Sequence, residues 1–273
     1  MDVAYMRQKA YQIRKKTLDI IYRAGAGHLG GDMSIADILT VLFYDVLRKD
    51  PKNPVWPERD RYVQSKGHSV EVYLAVLADL GYFDEDELKT YSTFGSRYIG
   101  HPHNDIPGIE ICSGALGHGL SVGSGMALGA KMGDSDIHVY VLMGDGEQAE
   151  GSIWEAAMFA STYKLNNLTA ILDRNHLQIT GETEDVMKLE PLVEKWESFG
   201  FHVVEIDGHD YVQIQQALKH REYDKPVLVV ANTIKGKGIS FTENNVKWHH
   251  GVPDQSQYLQ AVDELTAGGK QHG

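Results

Sequence analysis

A chain of 273 residues with 42% apolar and 23% charged side chains has the composition of a soluble globular protein, long enough for one large α/β domain or two small ones. Its net charge of −12 argues against a surface for nucleic acid or anionic membrane, and the lone cysteine, Cys112, excludes an internal disulfide and any cysteine-based metal cluster. No apolar stretch reaches signal-peptide or transmembrane length, which makes the cytoplasm the default location and Cys112 a buried structural thiol.

Residues 4–24 place apolar side chains, among them Ile13, Leu18, Ile20 and Ile21, at helical spacing, and the pattern stops at Gly25-Ala26-Gly27-His28-Leu29-Gly30-Gly31. Gly25, Gly27 and Gly30 spell a dinucleotide fingerprint, yet that site needs a strand before the glycines and an acid ending another strand, and neither is present. The loop is read instead as holding His28 at the mouth of a site, ahead of a helix capped by Ser34 and running to about Leu47. Residues 49–59, with Pro51, Pro54 and Pro57, form a connection. A short strand follows over 61–65, and Lys66-Gly67-His68-Ser69 opens a helix to about Leu80. A short helix is predicted over 85–91 and a loop over 92–103, where His101-Pro102-His103 has no third ligand to make a transition-metal site. The helix predicted over 120–132 carries Gly119, Gly123, Gly125 and Gly129 on or near it, which weakens it unless it packs closely on a neighbouring helix or a partner subunit.

The centre of the chain is residues 137–181. An apolar, β-branched run over 137–143 ends at Gly144-Asp145-Gly146, a helix follows from about Ser152, and a second apolar run over 168–172 ends at Asp173-Arg174-Asn175-His176. Two strand ends thereby deliver Asp145 and Asn175 to the edge where open parallel sheets bind ligands. One carboxylate, one amide oxygen and a backbone carbonyl near Leu177 make the sparse oxygen set that Mg²⁺ takes when water and phosphate complete its shell. Gly144, Gly146 and the positive end of the next helix suit a phosphate, so the stretch reads as a metal-diphosphate site. Beyond it come a helix over 189–199, a strand over 202–206, an Asp-Gly-His-Asp loop at 207–210 of no derivable chemistry, a helix over 211–219 and a strand over 227–231. The basic glycine loop from Thr233 through Lys235 to Gly238 suits either a phosphate neighbour or a surface turn. After Pro253 one short helix and a polar tail over 263–273 are predicted. The alternation implies an α/β fold, a mostly parallel sheet flanked by helices, as one domain over 1–273.

Gly-Asp-Gly followed by Asn thirty positions on (175 − 145 = 30) resembles the thiamine-diphosphate motif, and GDGEQAEGSIWEA resembles its transketolase form. The usual Asn-Asn ending is here Arg174-Asn175, and only the second Asn is a metal ligand in that family. GHLGGDMSIADIL, with Leu29 at a frequent proline, resembles the first transketolase histidine loop, and DRYVQSKGHSVEVYLAVLADLGY the second. The run IGHPHNDIPGIEICSGALGHGLSVGSGMALGAK resembles the third and NNVKWHHGVP the last, so the likeness extends from about residue 5 to residue 262. The resemblance implies a thiamine-diphosphate-binding fold, with Asp145, Asn175 and Leu177 holding Mg²⁺ or another divalent ion such as Ca²⁺ or Mn²⁺. It puts His68, Gly114, Leu116, Gly144, Gly146, Glu147, Asn175 and His249 against the cofactor. His28 and His249 would handle the donor's hydroxyl protons, His101 would face the donor sugar and His68 the diphosphate. Anchoring the last motif on Trp248 selects His249, whereas anchoring it on Gly251-Val252-Pro253 selects His250; His249 is preferred. Glu150 either resembles an acid that links paired active sites through a proton network or is an ordinary acidic helix start.

In transketolases the domain that binds the aminopyrimidine ring comes later, and this sequence ends before such a domain begins. The expectation is the N-terminal subunit of a split transketolase, working with a second subunit in an α₂β₂ assembly and moving a two-carbon ketol unit from a ketose phosphate to an aldose. The rival readings are a component of a ketoacid dehydrogenase or deoxyxylulose-phosphate synthase type of thiamine enzyme, and a non-catalytic metal-diphosphate module. Pentose phosphates and branched or sulfonated sugars stay undistinguished at this level.

Overall fold

The computed structural model describes residues 2–221 and 224–270. Helix α1, Val3–Ala24, is capped by Asp2, whose carboxylate accepts the Tyr5 N–H, and it ends at Gly25 in the left-handed region (φ 64°). Helix α2 spans Leu29–Val41 and continues as one π-helical turn through Leu42–Val46. Strand β1 (Arg61–Gln64), helix α3 (Val70–Asp79) and, after a long loop, helix α4 (Gly119–Met132) lead to strand β2 (Val139–Gly144). Helix α5 (Gly151–Thr162), strand β3 (Leu168–Arg174), the small hairpin of β4 (Leu177–Gln178) with β5 (Gly181–Glu182), and helices α6 (Thr183–Val186) and α7 (Leu192–Ser198) follow. Strand β6 (His202–Asp207), helix α8 (Tyr211–Lys219), strand β7 (Val227–Asn232) and helix α9 (Gln255–Lys270) complete the order.

The main sheet runs β1-β2-β3-β7-β6, every neighbouring pair parallel. Alternate residues sort its two faces: Tyr140, Leu142, Ile171 and Val229 join the core formed with α1, α2, α3 and α8, while Val141, Met143, Leu172 and Val230 join the core formed with α4, α5 and α7. Burial on both faces is why the central strands β2, β3 and β7 read as largely apolar runs. Parallel pairing also brings all five carboxyl ends to one edge. Gly144 lies opposite Asp173 and Arg174 opposite Asn232. The segments after Gln64, Gly144, Arg174 and Asn232 therefore meet there, on the binding edge of an open α/β sheet. Among the described residues no helix is long and apolar enough to cross a membrane.

Several boundaries differ from those predicted. Helix α2 starts at Leu29 rather than at Ser34, with His28 at its N-cap and both glycines inside its first turn. Close packing outweighs their poor propensity: a Cβ on Gly30 would sit 2.7 Å from the Trp248 carbonyl oxygen. Ser34 caps nothing, and its hydroxyl donates to Gly31 O and Asp173 Oδ2 from the helix interior. The predicted short helix and polar tail are one helix to Lys270, anchored by Ala261 and Leu265 on Leu18, Ile21 and Met33; residues 271–273 of that tail lie outside the described residues. Cys112 is exposed, not buried, with its thiol on Asn104 Oδ1. The glycines of α4 divide: a side chain on Gly123 would collide with Val141 of the sheet, whereas Gly125 and Gly129 face open space.

Candidate active site

The strand ends enclose a cleft of about 450 Å³. His28, His68, Gly114, Leu116, Gly144, Asp145, Gly146, Glu147, Glu150, Asn175, Leu177 and His249 line it, joined by Lys66, Gln178, Ile179 and Lys235. His101 and His250 stand at its margin, their rings 6.4 and 4.7 Å from that of His28. The His28 ring is 5.2 Å from that of His68, and His68 stacks on His249 at 5.3 Å. Four loops from distant parts of the sequence thus put five imidazoles around one space. His249 is half-buried and contacts Lys235 through Nδ1 at 3.1 Å, while His250 is exposed.

Asp145 is 2% exposed and sits at the end of β2. Its Oδ1 accepts the Gly146 N–H at 2.8 Å, and its Oδ2 accepts the His176 N–H at 2.6 Å with Arg174 Nη1 at 3.5 Å. Burial, reinforced by the negative charge of Asp173, pushes its carboxyl up to about 6. A nearby cation relieves the cost of ionising such a group. Asn175 donates from Nδ2 to Asp173 Oδ2 at 2.8 Å, which leaves Oδ1 as its acceptor end, receiving the Leu177 N–H at 3.1 Å. The Leu177 carbonyl accepts the Lys235 ammonium at 2.9 Å, so a positive group already lies among these oxygens. Among the described residues no cluster of three or more His, Cys, Asp or Glu side chains could hold a metal. One carboxylate, one amide and one carbonyl fit a hard cation that takes its other ligands from a diphosphate and water, and fit a transition metal poorly.

The same cleft is rich in cations. Lys66 is buried, donating to Gly31 O at 3.0 Å and Asp173 Oδ2 at 2.6 Å. Burial would raise Asp173, but the Lys66 charge and hydrogen bonds from Lys66, Thr233 and Ser34 hold it below the usual carboxylate range. Lys235 is lowered to about 8 by burial and by Lys66. Burial, then neighbouring positive groups, lowers His28 to about 4 and His249 to about 3, and lowers His68 as well; burial alone lowers His101. These histidines are therefore neutral at pH 7, able to accept or donate a proton, in a pocket whose potential calls for an anion.

Glu147 lines the cleft, but its carboxylate is engaged with Ser65, the Gly117 N–H (2.8 Å) and the Gly144 N–H (3.0 Å), bracing three loops. Gly114 lies against the His101 ring, and Glu150 stands exposed at the rim as N-cap of α5. Arg174 is a clasp: it reaches Thr183 Oγ1 at 2.7 Å, Glu184 at 3.1 Å and Glu190 at 2.8 Å, tying the segment after the β4–β5 hairpin to the end of β3. The loop at 207–210 has a structural part, since His209 accepts the Ile234 N–H through Nε2 and so carries its proton on Nδ1, 2.8 Å from Asp37 Oδ2. Sequence reasoning gives no site role to Lys66, Asp173, Gln178 or Ile179. Lys66 nonetheless stands in plain view before Gly67-His68, and Lys235 in the basic glycine loop.

A family model described as the transketolase thiamine diphosphate binding domain matches residues 6–265. The chain belongs to the transketolase family. It is 48% identical over 268 residues to one subunit of the apulose-4-phosphate transketolase of Phocaeicola vulgatus, covering 97% of this chain and 95% of that one. It is 42% identical to the 6-deoxy-6-sulfo-D-fructose transketolase subunit SqwG of a Clostridium species, covering 95% and 96%. Against human transketolase the identity is 34%, with 95% of this chain but only 42% of the human one covered. The crystal structure of transketolase from Campylobacter jejuni superposes with a TM-score of 0.92 at 34% identity, over 97% of this chain and 43% of that chain. This transketolase chain therefore spans less than half the length of the single-chain enzymes and nearly all of the relatives that are themselves subunits. It corresponds to the N-terminal subunit of a divided transketolase, and these relatives do not favour the ketoacid dehydrogenase, deoxyxylulose-phosphate synthase or non-catalytic readings.

Proposed function

We propose that this chain, joined by a C-terminal subunit carrying the aminopyrimidine-binding domain, transfers a two-carbon ketol unit from a ketose phosphate to an aldose. The observation that carries this reading is the pairing within one cleft of an oxygen donor set for a hard cation with a ring of neutral histidines and two buried lysines. Asp145, Asn175 and the Leu177 carbonyl would hold Mg²⁺, or Ca²⁺ or Mn²⁺ in its place. Lys235 and His68 would meet the diphosphate beside the Gly144 to Glu147 turn, with Gly114 and Leu116 against the rest of the cofactor. Thiamine diphosphate supplies, when bound, the electron sink for cleavage of the C2–C3 bond. The chain's own part is to place protons: His28 and His249 exchange them with the donor's hydroxyl groups, His101 orients its carbonyl end, and His250 stands beside His28 at the mouth. Glu150, at the rim, is the candidate for a proton path toward a neighbouring subunit.

An α₂β₂ assembly in the cytoplasm is the setting that fits a subunit-type transketolase. Helices α4 and α5 both start at the cleft, after Gly114–Leu116 and after Glu150, and their outer side exposes Val122, Met158 and Phe159 beside open Gly125 and Gly129. We place the second subunit there. The names of the relatives rank a branched or sulfonated ketose first among substrates to screen. The test is ketol transfer, with thiamine diphosphate and Mg²⁺, by this chain alone and mixed with the product of the adjacent reading frame. Activity only in the mixture is expected. Activity of the chain alone would refute the divided site, and inactivity of the mixture toward every ketose with cofactor still bound would refute the ketol-transfer reading.

A further inference from the structure

Beneath His28 lies a pair of carboxyl groups that the reaction scheme above does not use. Asp32, in the first turn of α2, and Glu71, in the first turn of α3, are both fully buried. Asp32 Oδ1 accepts the Val72 N–H at 3.1 Å, and Glu71 Oε1 accepts the Tyr91 hydroxyl at 2.7 Å. Asp32 Oδ2 and Glu71 Oε2 are both buried with no hydrogen-bond partner, and the two carboxyl groups lie beside one another. Two neighbouring buried carboxylates offer acceptors only and repel, so one proton held between their unpartnered oxygens satisfies both. The backbone N–H of His28 also points to Glu71, and a Cβ on Gly27 would lie 2.7 Å from Glu71 Oε1, so the histidine loop rests directly on this pair.

We propose that Asp32 and Glu71 share one proton and act together as positioning residues for His28; the mechanistic part of this rests on the ketol-transfer reading. Burial raises Glu71 as well, but the Tyr91 hydroxyl and the His28 N–H favour its ionised form, so the charge of the pair rests chiefly there. Asp32 keeps the proton, and its carboxyl is held well above the usual range by burial and by Glu71. The groups facing the pair are His28 from the glycine loop, Lys66 from the β1–α3 loop and Tyr91 from the turn after residues 85–90, while α1 contributes apolar Ile21. Lys66 favours the doubly ionised state but is already engaged with Asp173. The sign follows from linkage: the native state holds a proton that the unfolded chain releases above the ordinary aspartate range, so this pair makes stability fall as pH rises.

Two substitutions and two readouts test the pair. Asp32→Asn supplies a permanent N–H donor to Glu71 and keeps the acceptor for Val72, whereas Asp32→Ala leaves Glu71 buried without its partner. For the isolated chain, the urea midpoint of the wild type is expected to rise less steeply with pH than that of Asp32→Asn above the ordinary aspartate range, because there the pair opposes the histidines. In the two-subunit enzyme, Asp32→Asn is expected to keep kcat within about twofold at pH 7, while Asp32→Ala lowers kcat about tenfold with cofactor affinity unchanged, the size of losing one hydrogen bond to a charge. Equal losses in the two variants, or parallel pH profiles of stability for the wild type and Asp32→Asn, would overturn the shared proton. If no variant and no wild type transfers ketol units, the stability profiles still decide the pair while the proposed function falls.

Discussion

At the scale of single residues the cleft is a charge arrangement, and its two ends make separate predictions. Asp145→Asn is expected to weaken Mg²⁺ and thiamine diphosphate binding together by about tenfold or more, because even outer-sphere changes at metal sites cost that much. Isothermal titration with and without Mg²⁺ checks it, and unchanged cofactor affinity would remove the metal assignment. Lys235→Met takes away a buried ammonium lying on Leu177 O, and should lower diphosphate affinity about tenfold to a hundredfold, as expected for a charged hydrogen bond of about 1.5–3 kcal/mol. Asp145 and Asn175 are legible in sequence because each follows an apolar run that can only be a buried strand. Lys66 is not, since a lysine beside a glycine is commonplace, and Lys235 is so only in part, in a loop that suits a phosphate neighbour or a surface turn alike; only the folded sheet brings these two, 169 positions apart (235 − 66), to the same cleft. The choice between His249 and His250 has the same origin: adjacent residues in a tight turn point in different directions, and the turn is set by its contacts.

At the scale of elements, glycine has opposite meanings along one helix. Gly123→Ala should destabilise the chain by about 1–3 kcal/mol, because the new methyl meets Val141 of the sheet. Gly125→Ala, two positions on, should stabilise the isolated chain by about 0.5–1 kcal/mol, since its Cβ meets nothing. Urea denaturation of both variants measures the contrast. On the same outer side, Met158→Lys should leave cofactor affinity intact and weaken association with the second subunit, read by analytical ultracentrifugation of the mixture. The strands of the main sheet are readable to within two residues or so, most plainly β2 and β7, where burial on both faces leaves few polar positions to confuse the pattern. Helices α2 and α9 are not. Gly30 and Gly31 look like helix breakers until Trp248 is seen against them. Gly268 and Gly269 look like a tail until Tyr11 is seen beneath them.

For the molecule as a whole, buried histidines set the response to acid. His28 at about 4, His249 at about 3 and His138 at about 3 are all lowered, burial being the first cause in each. Unfolding returns them to about 6.5, so below that pH the unfolded chain binds more protons and stability falls as pH drops. His138 lies outside the cleft, its Nε2 2.8 Å from Thr169 Oγ1. It alone accounts for up to about 1.4 kcal/mol per pH unit between its two values. The urea midpoint of the cofactor-free chain is expected to fall from pH 7 to pH 5, and His138→Gln to reduce that slope.

The parallel order of the sheet also sets a timetable. Arg61 pairs with Val139 and Thr169 with Val227, separations of 78 (139 − 61) and 58 (227 − 169) residues, so little of the sheet closes by local turns. Chains dominated by such distant pairings fold slowly, and a growing polypeptide cannot complete this cleft until the segment around His249 has been synthesised. In refolding experiments helical signal should return well before the capacity to bind thiamine diphosphate. During that interval the half-made strand edges stand open to other chains, so meeting the second subunit early protects the chain as well as assembling the enzyme.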